Sequence, residues 1–116
     1  MNKIRFYVCP TCGAVVQAEP NVSVSCCGKQ LEALKAQPAD EAHTPCISQV
    51  EDERYFTLTH GMTKEHFIAF VAYVRFDYVY FVRLYPEQDA AVRLPKGVGG
   101  SIYYCCSRHG LFEHRL

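Results

Sequence analysis

The sequence has no excess of either charge: lysine plus arginine and aspartate plus glutamate stand at 12 each. A nucleic-acid partner gripped through a cationic face is therefore not expected, because phosphate neutralisation needs visible basic surplus. There is no long uninterrupted apolar run. The richest stretch, Phe67 to Tyr85, alternates and is broken by Arg75, Asp77 and Arg83, so no membrane span is expected. Low-complexity tracts are missing, and no helical period lasts beyond a turn or two. Met1-Asn2-Lys3-Ile4-Arg5-Phe6 lacks the charged-then-apolar layout of a secretory leader, which points to a cytoplasmic protein.

What the chain has in quantity is cysteine, 7 in 116 residues. An odd number without a leader disfavours a secreted disulfide framework and favours metal ligands or redox-active thiols. Residues 4–8 read as a short strand running into Cys9-Pro10-Thr11-Cys12-Gly13; further strands over residues 14–17 and 22–25 lead to Cys26-Cys27-Gly28. Two cysteine knuckles, each followed by glycine, suit a tetrahedral four-sulfur site for zinc or iron. A redox-active pair at Cys9 and Cys12, or small buried thiols, are the other readings. Neighbouring side chains of a strand point to opposite sides, so joint use of Cys26 and Cys27 requires a bend, which Gly28 permits. So small a segment buries little, and a metal would contribute much of its folding energy.

The polar stretch Ala36-Gln37-Pro38-Ala39-Asp40-Glu41-Ala42 reads as a linker, placing a small metal-bound β module in residues 1–36 and a second domain in residues 37–116. Beyond it, strands are expected over 46–50, 54–59, 66–75, 78–85 (the last two joined near Phe76-Asp77), 90–94 and 101–106, with turns at 51–53 and 86–89 and a glycine-rich loop over 95–100. This spacing predicts an all-β chain whose larger part is an immunoglobulin-like β-sandwich.

Chemistry-bearing residues gather at the strand ends of this second part. His43 precedes Thr44-Pro45; His60 and His66 flank Gly61-Met62-Thr63-Lys64-Glu65; Cys106-Ser107-Arg108-His109-Gly110-Leu111-Phe112 follows the last expected strand. Thiolate with neutral imidazole favours iron, zinc or copper over magnesium or calcium. His114 reads as a solvated or hydrogen-bonding side chain.

On these segments, together with the four-cysteine module, the sequence resembles desulfoferrodoxin, the two-iron form of superoxide reductase, over nearly its whole length. The resemblance implies one iron (or zinc) in the thiolates of Cys9, Cys12, Cys26 and Cys27. It implies a second iron held equatorially by His43, His60, His66 and His109 and axially by Cys106. The implied activity is one-electron reduction of superoxide to hydrogen peroxide, with a rubredoxin-like or flavoprotein electron donor and a homodimeric assembly. Glu41 would be the glutamate that approaches the oxidised iron. The family's usual lysine is replaced by Ala42 and a usual proline by Gly61; either Arg108 or Lys64 supplies the missing positive field, or both are solvated charges pointing away. If neither does, the alternative is an iron protein that relays electrons or senses redox state with weak turnover. A zinc-stabilised binding module is the other reading, and the absence of visible colour would mark it. Cys105, beside the thiolate, is expected to face away and pack.

Overall fold

The computed structural model describes residues 4–75, 78–97 and 99–116. The join expected near Phe76-Asp77, the first three residues and Val98 of the glycine-rich loop lie outside them. The chain divides into two compact units, Met1–Lys35 and Ala36–Leu116.

The first unit is two β-hairpins. β1 (Arg5–Val8) pairs antiparallel with β2 (Val15–Ala18), and β3 (Val24–Cys26) with β4 (Lys29–Leu31). Its buried side chains are few: Phe6, Tyr7, Cys9 and Leu31, with Ala14, Val16, Ala18, Val24 and Cys26 packed around the last three. The β1–β2 turn is a tight knuckle in which the Cys9 N–H donates to the Ala14 carbonyl and the Gly13 N–H to the Cys9 carbonyl, both at 2.9 Å. In the β3–β4 turn Cys27 has φ 53° and Gly28 φ 75°, the pairing of positive φ that a two-residue type I′ hairpin demands. The bend expected at glycine thus begins one residue earlier, on the cysteine itself.

The second unit is a sandwich of two sheets. One has the order β10 (Ala91–Pro95), β7 (Glu53–Thr57), β6 (Cys46–Val50); the other runs β5 (Gln37–Pro38), β12 (Gly110–Arg115), β11 (Ser101–Cys106), β8 (Ile68–Arg75), β9 (Tyr78–Arg83). Alternate side chains from both sheets meet in one core. Phe56, Val92 and Leu94 come from the three-stranded sheet, and Val71, Tyr73, Ile102, Tyr104, Cys106 and Phe112 from the five-stranded one. This is face-to-face sheet packing, and no α-helix occurs among the described residues. No helix there is long and apolar enough to cross a membrane.

Three strands were not expected from sequence, the short β4 of the first unit and two in the second. β12 follows the Cys106–His109 segment and lies antiparallel to β11. β5 falls inside the stretch read as linker and pairs in parallel with β12 at Phe112 and Glu113. A register shift between Cys105 and Cys106 against β8 marks a bulge at the end of β11, a common device for re-aiming side chains beside a functional site. Cys106 lies in the sandwich core. Cys105 is buried outside that cluster, where loss of solvent pushes its thiol up to about 12, as fits an inert packing residue.

Candidate metal centres

The turn chemistry of the first unit brings four sulfurs together. One ligand atom from each of Cys9, Cys12, Cys26 and Cys27 lies within 4.8 Å of the others. The Cys12 and Cys26 sulfurs are 3.5 Å apart and those of Cys26 and Cys27 3.9 Å. A tetrahedron with metal–sulfur bonds near 2.3 Å has edges of roughly 3.8 Å, and all seven cysteines are free thiols. The spacing is therefore too long for disulfides and right for a shared ion. Electrostatics agree. The Cys12 backbone N–H is the main influence lowering the Cys9 thiol to about 6, against the opposing effect of burial. Cys26 is pushed up to about 12, chiefly by its hydrogen bond to Cys12 and then by that to Cys9. Four adjacent thiols cannot all ionise without a cation between them, and a divalent ion would lift that restriction.

In the second unit, three loops and a strand end converge. His43 closes a 3-10 turn, Glu41–His43; His60 and His66 sit in the connection between β7 and β8; Cys106 ends β11; His109 lies in the turn before β12. The ligand atoms of His43, His60, His66 and Cys106 fall within 4.8 Å of one another. His109, expected as a fourth imidazole, is exposed and falls outside that group, although its Nδ1 lies 3.4 Å from the Cys106 sulfur. The same sulfur is 3.1 Å from His66 Nε2 and 3.5 Å from His60 Nε2. The four imidazoles form a closed circuit. Ring centroids are 5.0 Å apart from His43 to His60, 4.6 Å from His60 to His66, 5.1 Å from His66 to His109 and 5.0 Å from His109 back to His43.

The connection carrying His66 is fixed by its own backbone. Thr63 and His66 exchange N–H···O bonds of 3.0 and 3.2 Å, and the Ser107 N–H donates to the Phe67 carbonyl at 2.8 Å while the Phe67 N–H donates to Ser107 Oγ at 3.0 Å. Burial, then the charges of His60, His109, Arg108 and His43, holds the His66 imidazole below its ordinary pKa. Its neutral form, the one with a lone pair to give, is thereby favoured.

His43 is the most enclosed of the four, 2 % exposed. Its ring stacks on Phe112 at 4.3 Å, and the Tyr104 hydroxyl donates to its carbonyl at 2.5 Å. Its Nε2 is buried with no hydrogen-bond partner. An orphaned buried nitrogen costs stability unless something accepts its lone pair. With a thiol and three more imidazoles around it, a soft or borderline cation is what fits. Tyr104→Phe should leave the buried His43 carbonyl without its donor, lowering stability by roughly 1–3 kcal/mol in urea unfolding.

Glu41 and Ala42 are exposed on the turn that ends at His43. Lys64 is exposed in the β7–β8 connection, and Arg108 donates from Nε to the Glu65 carbonyl at 3.0 Å. His114, half-buried on β12, is not among the clustered residues. Asp40, Gln37 and Tyr104 carried no recognisable signal in sequence, yet each bonds a residue of the cluster. Asp40 bonds His43 Nδ1, the Gln37 amide donates to the His109 carbonyl at 2.6 Å, and Tyr104 bonds His43 as above.

No family model matches the chain. A desulfoferrodoxin of Clostridium acetobutylicum is 27% identical over 120 residues, spanning 97% of this chain and 96% of that protein. The crystal structure of the superoxide reductase from Treponema pallidum superposes with a TM-score of 0.82 at 19% identity, covering 98% of this chain and 99% of that one. The fold is that of a superoxide reductase, and the sequence resembles a desulfoferrodoxin from end to end.

Proposed function

We propose that this chain, similar along its length to a desulfoferrodoxin, is a superoxide reductase. One superoxide anion, one electron and two protons would give one hydrogen peroxide. The observation that carries this reading is the closed circuit of four imidazoles around the Cys106 sulfur, with the buried His43 Nε2 left unpartnered. We assign His43, His60, His66, His109 and Cys106 as iron ligands, and Cys9, Cys12, Cys26 and Cys27 as holding iron or zinc. Residues 1–36 are assigned as the thiolate module and 37–116 as the catalytic domain. Bound iron would supply the electron and an electrophilic centre for the anion; a rubredoxin-like or flavoprotein donor would replace the electron. Homodimeric assembly in the cytoplasm completes the proposal.

The chain's own residues shape how the anion arrives. A groove of about 510 Å³ beside His60 and Met62 is lined by Glu87 and Asp89 and by no lysine or arginine, so it repels rather than collects superoxide. Positive charge is found instead at Arg108, whose side chain is fixed against the loop of His66 by the bond to Glu65. We assign Arg108 the attraction that Ala42 cannot provide, with Lys64 in a lesser share because no comparable tether holds it among the described residues. Glu41, exposed two residues before His43, is assigned as the carboxylate that closes over the centre between turnovers.

Two measurements test this. Pulse-generated superoxide should yield one peroxide per superoxide in the presence of excess reductant; half that yield with oxygen release, or no accelerated decay, rejects reductase action. Arg108→Ala should lower the second-order rate about tenfold, the low end of what electrostatic steering supplies, and flatten its salt dependence. Arg108→Lys should keep most of both. If Arg108→Ala and Lys64→Ala both leave rate and salt slope unchanged, the second reading gains: a redox relay or sensor in which exposed, uncharged Ala42 leaves superoxide turnover weak.

A further inference from the structure

The carboxylate of Asp40 lies 2.6 Å from His43 Nδ1. This contact, together with the orphaned Nε2 on the opposite side of the same buried ring, assigns His43 the tautomer in which Nδ1–H donates to Asp40 and Nε2 keeps its lone pair. We propose that Asp40 is a positioning residue that aims His43 at the metal and raises its strength as a donor. The inference rests on the metal centre proposed above and extends it to a residue outside the ligand set.

The local structure is built to hold this pair. Asp40 occupies the N-cap position of the 3-10 turn, with extended φ and ψ, but its side chain does not cap the backbone. A side chain at that position ordinarily bonds an N–H of the first turn; this one is committed to the imidazole. The main chain of Asp40 does the remaining work, its carbonyl accepting from the His43 N–H at 3.2 Å and from Thr44 Oγ1 at 2.6 Å. The His43 N–H bond of the turn thus runs from main chain to main chain. Phe112 beneath the ring and Tyr104 on its carbonyl fix what is left of its freedom.

The four histidines are not equivalent in this respect. His60 Nδ1 lies 2.7 Å from a backbone carbonyl, that of Gly61, a neutral acceptor. His43 has a carboxylate, that of Asp40 at 2.6 Å. An anionic acceptor draws the Nδ1 proton more strongly and pushes electron density toward Nε2. That density favours the higher oxidation state of a bound metal, so Asp40 should lower the centre's reduction potential.

The test uses full-length protein reconstituted with iron, comparing wild type with Asp40→Asn and Asp40→Ala. Asparagine keeps an acceptor without the charge, and alanine keeps neither. Because the Asp40 side chain is 56% exposed, both variants should fold, which thermal melting of the metal-free proteins would check. Chelator competition, followed through the thiolate-to-iron absorption of the histidine-rich centre, should show about 10–100-fold weaker iron retention in Asp40→Ala. Asp40→Asn should fall between it and wild type. Both variants should have a more positive reduction potential, with absorption of the four-sulfur centre unchanged as an internal control. Equal iron retention and equal potential in all three proteins would overturn the role of Asp40 while leaving the centre intact. Failure of wild type to bind iron there at all would overturn the centre itself.

Discussion

Removal of metal from the four-thiol cluster is expected to unfold Met1–Lys35 while Ala36–Leu116 stays folded. The first unit buries only Phe6, Tyr7, Cys9 and Leu31, with a few half-buried neighbours. At roughly 1.5–3 kcal/mol per fully buried side chain, burial on this scale falls well short of the backbone entropy of its residues, roughly 1–2 kcal/mol each. Structural zinc in small peptides contributes about 10–16 kcal/mol, enough to change the outcome. The second unit needs no such help, since its core draws fully buried side chains from two sheets. Limited proteolysis with and without a strong chelator should show new cleavage confined to the first unit, and amide NMR signals should collapse there alone. An unchanged digestion pattern on complete metal removal would show that the hairpins stand by themselves.

Cys106→Ser should abolish the proposed activity. The sulfur is the point on which three imidazole nitrogens converge, at 3.1, 3.4 and 3.5 Å. A hydroxyl is a harder and much weaker donor than a thiolate. Loss of outer partners already costs about 10–100-fold in metal affinity or activity, so loss of a direct sulfur donor should cost roughly 100-fold or more. The thiolate-to-iron absorption of the centre should vanish with it. Cys105→Ser supplies the contrast, because that thiol points outside the sandwich core and is held neutral by burial: the absorption should persist. Retention of both absorption and superoxide decay in Cys106→Ser would remove the sulfur from the proposed ligand set.

Much of this arrangement was legible in the residues, and the remainder was hidden for identifiable reasons. The placement of His60, His66, Cys106 and His109 at or beside strand ends follows from where the apolar runs stop and start around them. The sheets follow from the alternation within those runs. β5 escaped notice because a two-residue strand containing Pro38 has no periodicity to detect, and its partner lies at the far end of the chain. β12 escaped because a turn and Gly110 begin it and charged residues end it. Asp40 was indistinguishable from any solvated acid in a polar stretch. Its meaning is a 2.6 Å contact to one nitrogen of one ring, and no spacing rule marks that. Arg108 was singled out by its position between two ligating side chains, but its tether to Glu65 required the folded loop.

The two clusters differ in how much chain each must gather, and this sets the order in which they can acquire their ions. Cys12 and Cys26 are 14 positions apart, and each adjacent pair sits within a single turn. His60 and Cys106 are 46 positions apart and meet only when β8 has paired with β11. Short loops close early and long ones late. A nascent chain can therefore capture a thiophilic cation while most of the second unit is still being synthesised, whereas the imidazole circuit cannot exist until the last turn has emerged. The four-sulfur cluster can thus assemble before the imidazole cluster does, an order set by the chain's own topology.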